Sequence, residues 1–221
     1  MRLFAAMKLL VVSATEAEVG GLAAYLQAHP GLSATRLVAG VGMLATAYAL
    51  TRHLQHHTYD LVLQAGVGGS FDDSIALGEL VWVTADRYGD LGAEDHDNYI
   101  DIFDMGLVDA NAHPHSKGWL PAPTDINGSI ADLRQATGIT VNTVSGHAAS
   151  IARRRELYQA QTESMEGAAF HYVCLHEGVR FAQVRAISNY VIPRDKSQWK
   201  MKDAIINLNK WLIALVEEFA K

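Results

Sequence analysis

Along most of this chain, short apolar runs of strand length alternate with longer runs that repeat at helical spacing, and that alternation sharply limits the folds open to it. The run KLLVVSAT is rich in β-branched residues and ends in small polar ones, which predicts a buried strand entering a turn. EAEVGGLAAYLQAH follows, with acids in its first turn and Val19, Leu22, Ala23 and Leu26 at helical spacing; Pro30-Gly31 closes it. ATRLVAGVG predicts a strand and a glycine turn, MLATAYALTRHLQHH a helix, DLVLQAGVGGSF a strand running into a glycine-rich turn, and GELVWVTADRYGD another strand. Beyond residue 128, ITVNTVSGH predicts a strand, AASIARRREL and EGAAFHYVCLHEGV helices, and RFAQVRAISNY a strand. Residues 203–219 form an amphipathic terminal helix with Ile205, Leu208, Leu212, Leu215, Val216 and Phe219 on one stripe. The pattern is that of an α/β domain with helices on both faces of its sheet.

With 221 residues, 49% of them hydrophobic, the chain can build one sizeable core, and we read residues 7–221 as a single domain. Residues 1–6 read as an appendage, because Lys8 interrupts the opening apolar stretch and no cleavage-like site follows it. No run reaches the ~18 apolar residues of a membrane span. A net charge of −6, with no basic run longer than Arg153-Arg154-Arg155, argues against a nucleic-acid partner. The single cysteine, Cys174, excludes an internal disulfide, fits a reducing cytoplasm and reads as a buried structural thiol. Residues 86–128 lose periodicity; 86–109 hold seven Asp and one Glu against Arg87, as a solvated loop or as a lid or subunit contact.

Ligands of open α/β sheets bind beyond the carboxyl ends of strands. The polar residues there are Glu16, Glu18, Ser70, Ser145, His147, Glu166, Arg185, Ser188 and Asn189. Gly40/Gly42 and Gly66/Gly68/Gly69 serve either tight turns or a backbone that approaches a ligand closely; neither cluster completes a phosphate loop or a dinucleotide fingerprint. The ten histidines have no metal-ligand spacing, so neither a metal nor another cofactor is expected. Ser145 and His147, two apart on one predicted strand, lack a third member for a hydrolase triad. Glu18 and Glu166 each open a helix, where dipole compensation alone would explain either one. Two such acids at strand ends, with Arg185 and Asn189 at a third, outline a polar pocket.

The pair MEGAA and VRAISN, about twenty residues apart, resembles the purine nucleoside phosphorylase/hydrolase superfamily. SATEAEV, AGVGMLATA and QAGVGGSF fall in the order and spacing of its nucleosidase branch, which includes the methylthioadenosine/S-adenosylhomocysteine nucleosidases. The acidic insert HDNYIDIFDMGL and the tail ISNYVIPRDKSQWKMKDAI are most similar to the futalosine hydrolases, which remove hypoxanthine from futalosine in one route to menaquinone. The resemblance implies a three-layer α/β/α sandwich with a central mixed sheet, no cofactor, a nucleoside and water as substrates, and a homodimer or larger assembly. It assigns Glu18 to ordering and deprotonating the attacking water. Met165 and Glu166 pack against and hold the ribose, with Gly66 and Gly68 at the site. Arg185 and Ser188 support it, and Asn189 replaces the aspartate that contacts the purine in adenine-specific members.

Cleavage of an N-glycosidic bond passes through an oxocarbenium-like sugar, so a base must deliver water and the purine must be helped to leave. Hypoxanthine presents two acceptors, N7 and O6. An amide NH₂ can donate to both, whereas a protonated carboxyl offers one hydrogen. Asn189 therefore points to a 6-oxopurine. The chain departs from the nucleosidase pattern after SG, where His147, Ala148, Ala149 and Ser150 stand in place of an aspartate and a stacking aromatic. His147 and Ala149 are kept as lining residues, and stacking passes to Phe71 or Tyr190. Arg194, Lys196 and Lys200 around Trp199 form either a solvated loop or a clamp over a carboxylate on the 5′ arm of the substrate.

Overall fold

The alternation of patterns becomes, in order, β1 (Leu9–Ser13), α1 (Glu16–Ala28), β2 (Ala34–Val38), α2 (Met43–Leu54), β3 (Leu61–Ser70), β4 (Leu80–Tyr88), β5 (Gly92–Asp95), β6 (Asn98–Asp101), β7 (Leu120–Pro121), β8 (Arg134–Thr140), α3 (Ala148–Tyr158), β9 (Thr162–Ser164), α4 (Gly167–His176), β10 (Phe181–Tyr190) and α5 (Met201–Phe219). The computed structural model describes residues 7–32, 34–96 and 98–220. The appendage expected at residues 1–6 lies outside them.

All five residues of β1 are buried, as an unbroken apolar run requires. β1 lies between β2 and β3, parallel to both. β3 continues past β1 and pairs in parallel with β10 along nearly its whole length. From there β10 pairs antiparallel with β4, β4 parallel with β8, β8 parallel with β9, and β9 antiparallel with the end of β3. The circuit β3–β10–β4–β8–β9 thus closes on itself, and β1 and β2 extend from one side of it.

Alternate residues along the strands face opposite layers. Leu9, Val11, Leu63, Val184 and Ala186 pack under α1 and α5, whereas Leu10, Val12, Val62 and Phe181 pack under α2 and α4. Two helical layers enclose one mixed sheet. In α5, Leu208, Leu212, Leu215 and Val216 are buried, each worth about 1.5–3 kcal/mol. Asn209 on the same helix reaches into α1. Its Nδ2 donates to Glu18 O at 2.8 Å and its Oδ1 accepts from Leu22 N at 2.8 Å. The amide therefore bridges a carbonyl and an N–H that a regular helix would pair with each other. Gly21 permits this approach, since a Cβ there would lie 2.9 Å from the Asn209 side chain.

Three expectations are corrected. Gly66, Gly68 and Gly69 lie inside β3 and form no turn. The strand predicted over ITVNTVSGH ends at Thr140; Val141 N still donates to Ser164 O at 2.9 Å, and residues 142–147 leave the sheet. Three of their backbone donors find side chains instead: Asp90 accepts from Asn142 N at 2.6 Å and Thr143 N at 3.3 Å, and Glu163 accepts from Ser145 N at 2.7 Å. The aperiodic acidic segment contains a hairpin, β5 with β6, and Arg87 on β4 pairs with its Asp101.

Candidate active site

Glu18 is the third residue of α1. Its Oε2 accepts from Thr15 N at 2.9 Å and Thr15 Oγ1 at 3.1 Å, reaching back to the residue that caps the helix. Its Oε1 turns to the sheet and accepts from Val67 N at 3.1 Å. Glu166 caps α4, with Oε1 accepting from Gly42 N at 3.1 Å and Oε2 from Arg185 Nη1 at 3.3 Å. Gly42 has φ +91°, a conformation natural to glycine, and this places its N–H at the mouth of α2. Arg185 is 1% exposed and extends from β10 beneath β3. Its Nη2 donates to Gln64 Oε1 at 2.8 Å, and its Nη1 also lies 3.4 Å from Val67 O.

Gly66 is the meeting point of Glu18 and Arg185. A Cβ at that position would stand 2.8 Å from both Glu18 Oε1 and Arg185 Nη1. The close approach anticipated for this glycine is to the side chains of the site. Residues from α1, β3 and β10, far apart in sequence, converge there, and Glu166 at the start of α4 joins them through Arg185. Both carboxylates are buried, Glu18 to 7% and Glu166 to 6% exposure.

Asn189 lies opposite Gly69 on β3, just beyond an irregularity in the pairing. That is roughly 10 Å along the strand from Gly66. The Ser188 hydroxyl is 2.8 Å from Asn189 Oδ1 and 3.2 Å from Gly68 O. Asn189 Nδ2 donates to Tyr190 O at 3.1 Å. The Tyr190 carbonyl, which can only accept, sets which way round the amide sits, and one N–H of the NH₂ remains uncommitted. Met165, half-buried, immediately precedes Glu166.

The other predicted residues have partners of their own. Phe71 follows β3 and packs beside Ile139 and Tyr158, with the Arg155 guanidinium 5.9 Å above its ring. The Tyr190 hydroxyl reaches Asp73 O at 3.4 Å. His147 caps α3, and with Ala149 it lines a groove of about 720 Å³ together with Glu94, Tyr99, Arg153 and Leu157; neither Glu18, Glu166, Arg185 nor Asn189 lines it. Ser145 is held in the preceding loop, its Oγ donating to Glu163 Oε2 at 2.6 Å, so Ser145 and His147 share no strand face. The basic segment is pinned at both ends: Arg194 N donates to Gly146 O at 3.1 Å and Lys200 N to Ser188 O at 2.7 Å. Arg194 covers Trp199 at 5.4 Å. Among the described residues no group of three His, Cys, Asp or Glu could hold a metal ion.

Sequence reading missed the polar groups beneath the site: Gln64, Asp86, Gln183, His171, and the buried pair Glu163–Arg154 at 3.3 Å. Gln64 and Gln183 each interrupt an apolar strand, and that interruption was the available signal. Asp86 is fully buried, and burial raises its carboxyl to about 6 against the opposing pull of Thr140, Arg185 and Gln183. Burial likewise lowers His171 to about 4.

The closed mixed sheet between helical layers is the nucleoside phosphorylase/hydrolase fold. A family profile described as "Phosphorylase superfamily" matches residues 15–221. The chain belongs to the phosphorylase superfamily. It is 34% identical to a futalosine hydrolase of Streptomyces coelicolor over 91% of this chain and 92% of that one. It is 31% identical to a futalosine hydrolase of Thermus thermophilus over 85% and 84% of the two chains. The native structure of futalosine hydrolase from Helicobacter pylori superposes with a TM-score of 0.78 at 14% identity, covering 96% of this chain and 98% of that one.

Proposed function

We propose that this protein is an N-glycosyl hydrolase that releases a 6-oxopurine from a nucleoside, with futalosine as its substrate and hypoxanthine as the leaving base, in menaquinone biosynthesis. The observation that carries the reading is the buried cluster in which Glu18 and Arg185 meet at Gly66 and Arg185 pairs with Glu166. Futalosine hydrolases of 31–34% identity over most of the chain support the choice of substrate.

In this reading Glu166 accepts hydrogens from the ribose hydroxyls, held by Gly42 N and Arg185. Charge-assisted bonds of this kind are worth about 1.5–3 kcal/mol each. Glu18 takes a proton from the water that attacks C1′, and positive charge develops on the sugar between the two carboxylates. Asn189 donates its free N–H to N7 or O6 of the base, both acceptors on hypoxanthine. The sugar anchor and the base contact then lie at opposite ends of a span of roughly 10 Å.

Hydrolysis is favoured over phosphorolysis by the placement of the cations. Arg185 is committed to Glu166 and Gln64. Of the two arginines near the glycine clusters, Arg52 lies beside Tyr48 on α2 and Arg87 pairs with Asp101. The pinned basic segment, with Arg194 on Trp199, suits a cover over the anionic 5′ arm. The enzyme acts in the cytoplasm, as a dimer or larger assembly, with no membrane or nucleic-acid partner.

The deciding experiment incubates the protein with futalosine, inosine and methylthioadenosine, each with and without phosphate, and measures released base. The expected result is hypoxanthine from futalosine without phosphate. No release at high enzyme concentration overturns the reading, and a strict need for phosphate replaces it with a phosphorylase.

A further inference from the structure

Beneath the Glu166–Arg185 pair lies a buried acid that the reaction above does not use. Asp86 comes from β4, and its two oxygens touch both elements that carry the pair. Oδ1 accepts from Thr140 Oγ1 at 2.8 Å and from Arg87 N at 2.9 Å. Thr140 Oγ1 in turn accepts from Ala168 N at 2.7 Å, in the first turn of α4. Because a backbone N–H can only donate, the threonine hydroxyl must point its hydrogen at Asp86. Oδ2 lies against Gly167, the first residue of α4, so closely that a Cβ there would overlap it. It also accepts from Gln183 Nε2 at 3.2 Å, and Gln183 lies two residues before Arg185 on the same face of β10.

We propose that Asp86 is a positioning residue that holds Glu166 and Arg185 in register from below, through Thr140 to the start of α4 and through Gln183 to β10. The inference rests on the reading of that pair as the ribose anchor. Each link is a buried hydrogen-bonded path that ends two residues from a member of the pair, at Ala168 for Glu166 and at Gln183 for Arg185. An anionic Asp86 also faces the positive end of the α4 dipole and lowers the positive potential around Arg185. The charged and titratable groups around it are few. Arg185 projects from β10, His171 sits on α4 beside Gln183, and Tyr88 follows on β4 itself; β8 contributes only the neutral Thr140. Burial raises its carboxyl to about 6, so its charge is present at neutral pH and lost on mild acidification.

The test compares wild type with Asp86→Asn and Thr140→Val by kcat and KM for base release between pH 5 and 8, with folding checked by circular dichroism. In Asp86→Asn the amide can still accept from Thr140 and Arg87, and Gln183 can turn to receive its NH₂, so the fold is kept while the charge is removed. KM is expected to rise about tenfold, the scale of one charge-assisted contact, with a smaller change in kcat. Wild-type KM is expected to rise as pH falls through about 6, and Asp86→Asn to lose that dependence. Thr140→Val cuts the link to Ala168 and keeps the charge, so it should raise KM and retain the pH dependence. A wild-type KM in Asp86→Asn overturns the inference, as does a pH dependence that survives the substitution. If Asp86→Asn fails to fold, a wild-type KM in Thr140→Val overturns it. A wild-type protein that releases no base sinks the functional reading instead; calorimetric titration with inosine then compares the variants, and equal affinities overturn the role of Asp86.

Discussion

Glu18 shows how much of a residue's role depends on what its two oxygens touch. One oxygen closes the first turn of its own helix through Thr15, and the other is presented to β3 at Val67. Helix-dipole compensation, sufficient to explain an acid at this position in the sequence, accounts for only the first of these. Glu18→Gln keeps the shape and removes the base, so turnover should fall by about 10²–10⁴ while nucleoside affinity changes little. Single-turnover assays beside calorimetric titration check this, and wild-type turnover would remove Glu18 from the chemistry. At Asn189 the structure sharpens an argument that residue type alone left loose. With Oδ1 beside Ser188 Oγ and one N–H given to Tyr190 O, the amide offers a single free donor to the base. Asn189→Asp should depress release of 6-oxopurines about tenfold or more relative to 6-aminopurines, because an acceptor then faces O6. Competition between inosine and adenosine measures it, and an unchanged ratio defeats this account of the amide.

At the level of elements, the helices carry the acids and their neighbours aim them. Asn209 of α5 is inserted beside Glu18 in α1, where it satisfies Glu18 O and Leu22 N. Asn209→Ala should cost about 1–3 kcal/mol through the lost buried bonds, and should lower kcat because the turn bearing Glu18 can close on itself. A chemical-denaturation midpoint and a rate, taken together, check both parts; an unmoved midpoint refutes the first. The central position of α4 makes a simpler prediction. Cys174 is fully buried in its inner face, and burial raises its thiol well above the usual range. An aromatic disulfide reagent should leave the native protein unmodified and react with one thiol per chain after unfolding. Rapid reaction of the native form would contradict the packing of α4 against α2 and Phe181.

For the molecule as a whole, ring closure of the sheet gathers buried polar groups under one site, and their titration marks its stability. Between pH about 4 and 6 the native state keeps the Asp86 proton that an unfolded chain has released, so this group makes stability fall as pH rises. His171, lowered to about 4, does the reverse: the unfolded chain takes up its proton first, and stability rises with pH over the same range. The two slopes oppose each other in the wild type. Asp86→Asn should therefore gain stability with rising pH more steeply than wild type, by on the order of 2 kcal/mol across the window. Denaturant midpoints from pH 4.5 to 7 test this, and parallel curves for the two proteins exclude Asp86 as the titrating group. The fold class, the helices and most of the strands were legible in the sequence because they follow from periodicities of 2 and 3.6, which are local. Glu18, Glu166, Arg185 and Asn189 were legible as polar residues at strand ends. What only the tertiary structure decided is which of them meet. Gly66 lies inside a strand and marks the contact of Glu18 with Arg185, which in turn holds Glu166. Beyond Val141 the chain leaves the sheet, and Asp90 and Glu163 take the N–H groups of Asn142, Thr143 and Ser145. Asp86 reaches α4 across the ring. Such contacts depend on side chains from strands distant in sequence, and a local pattern carries no record of which distant partner satisfies a buried polar group.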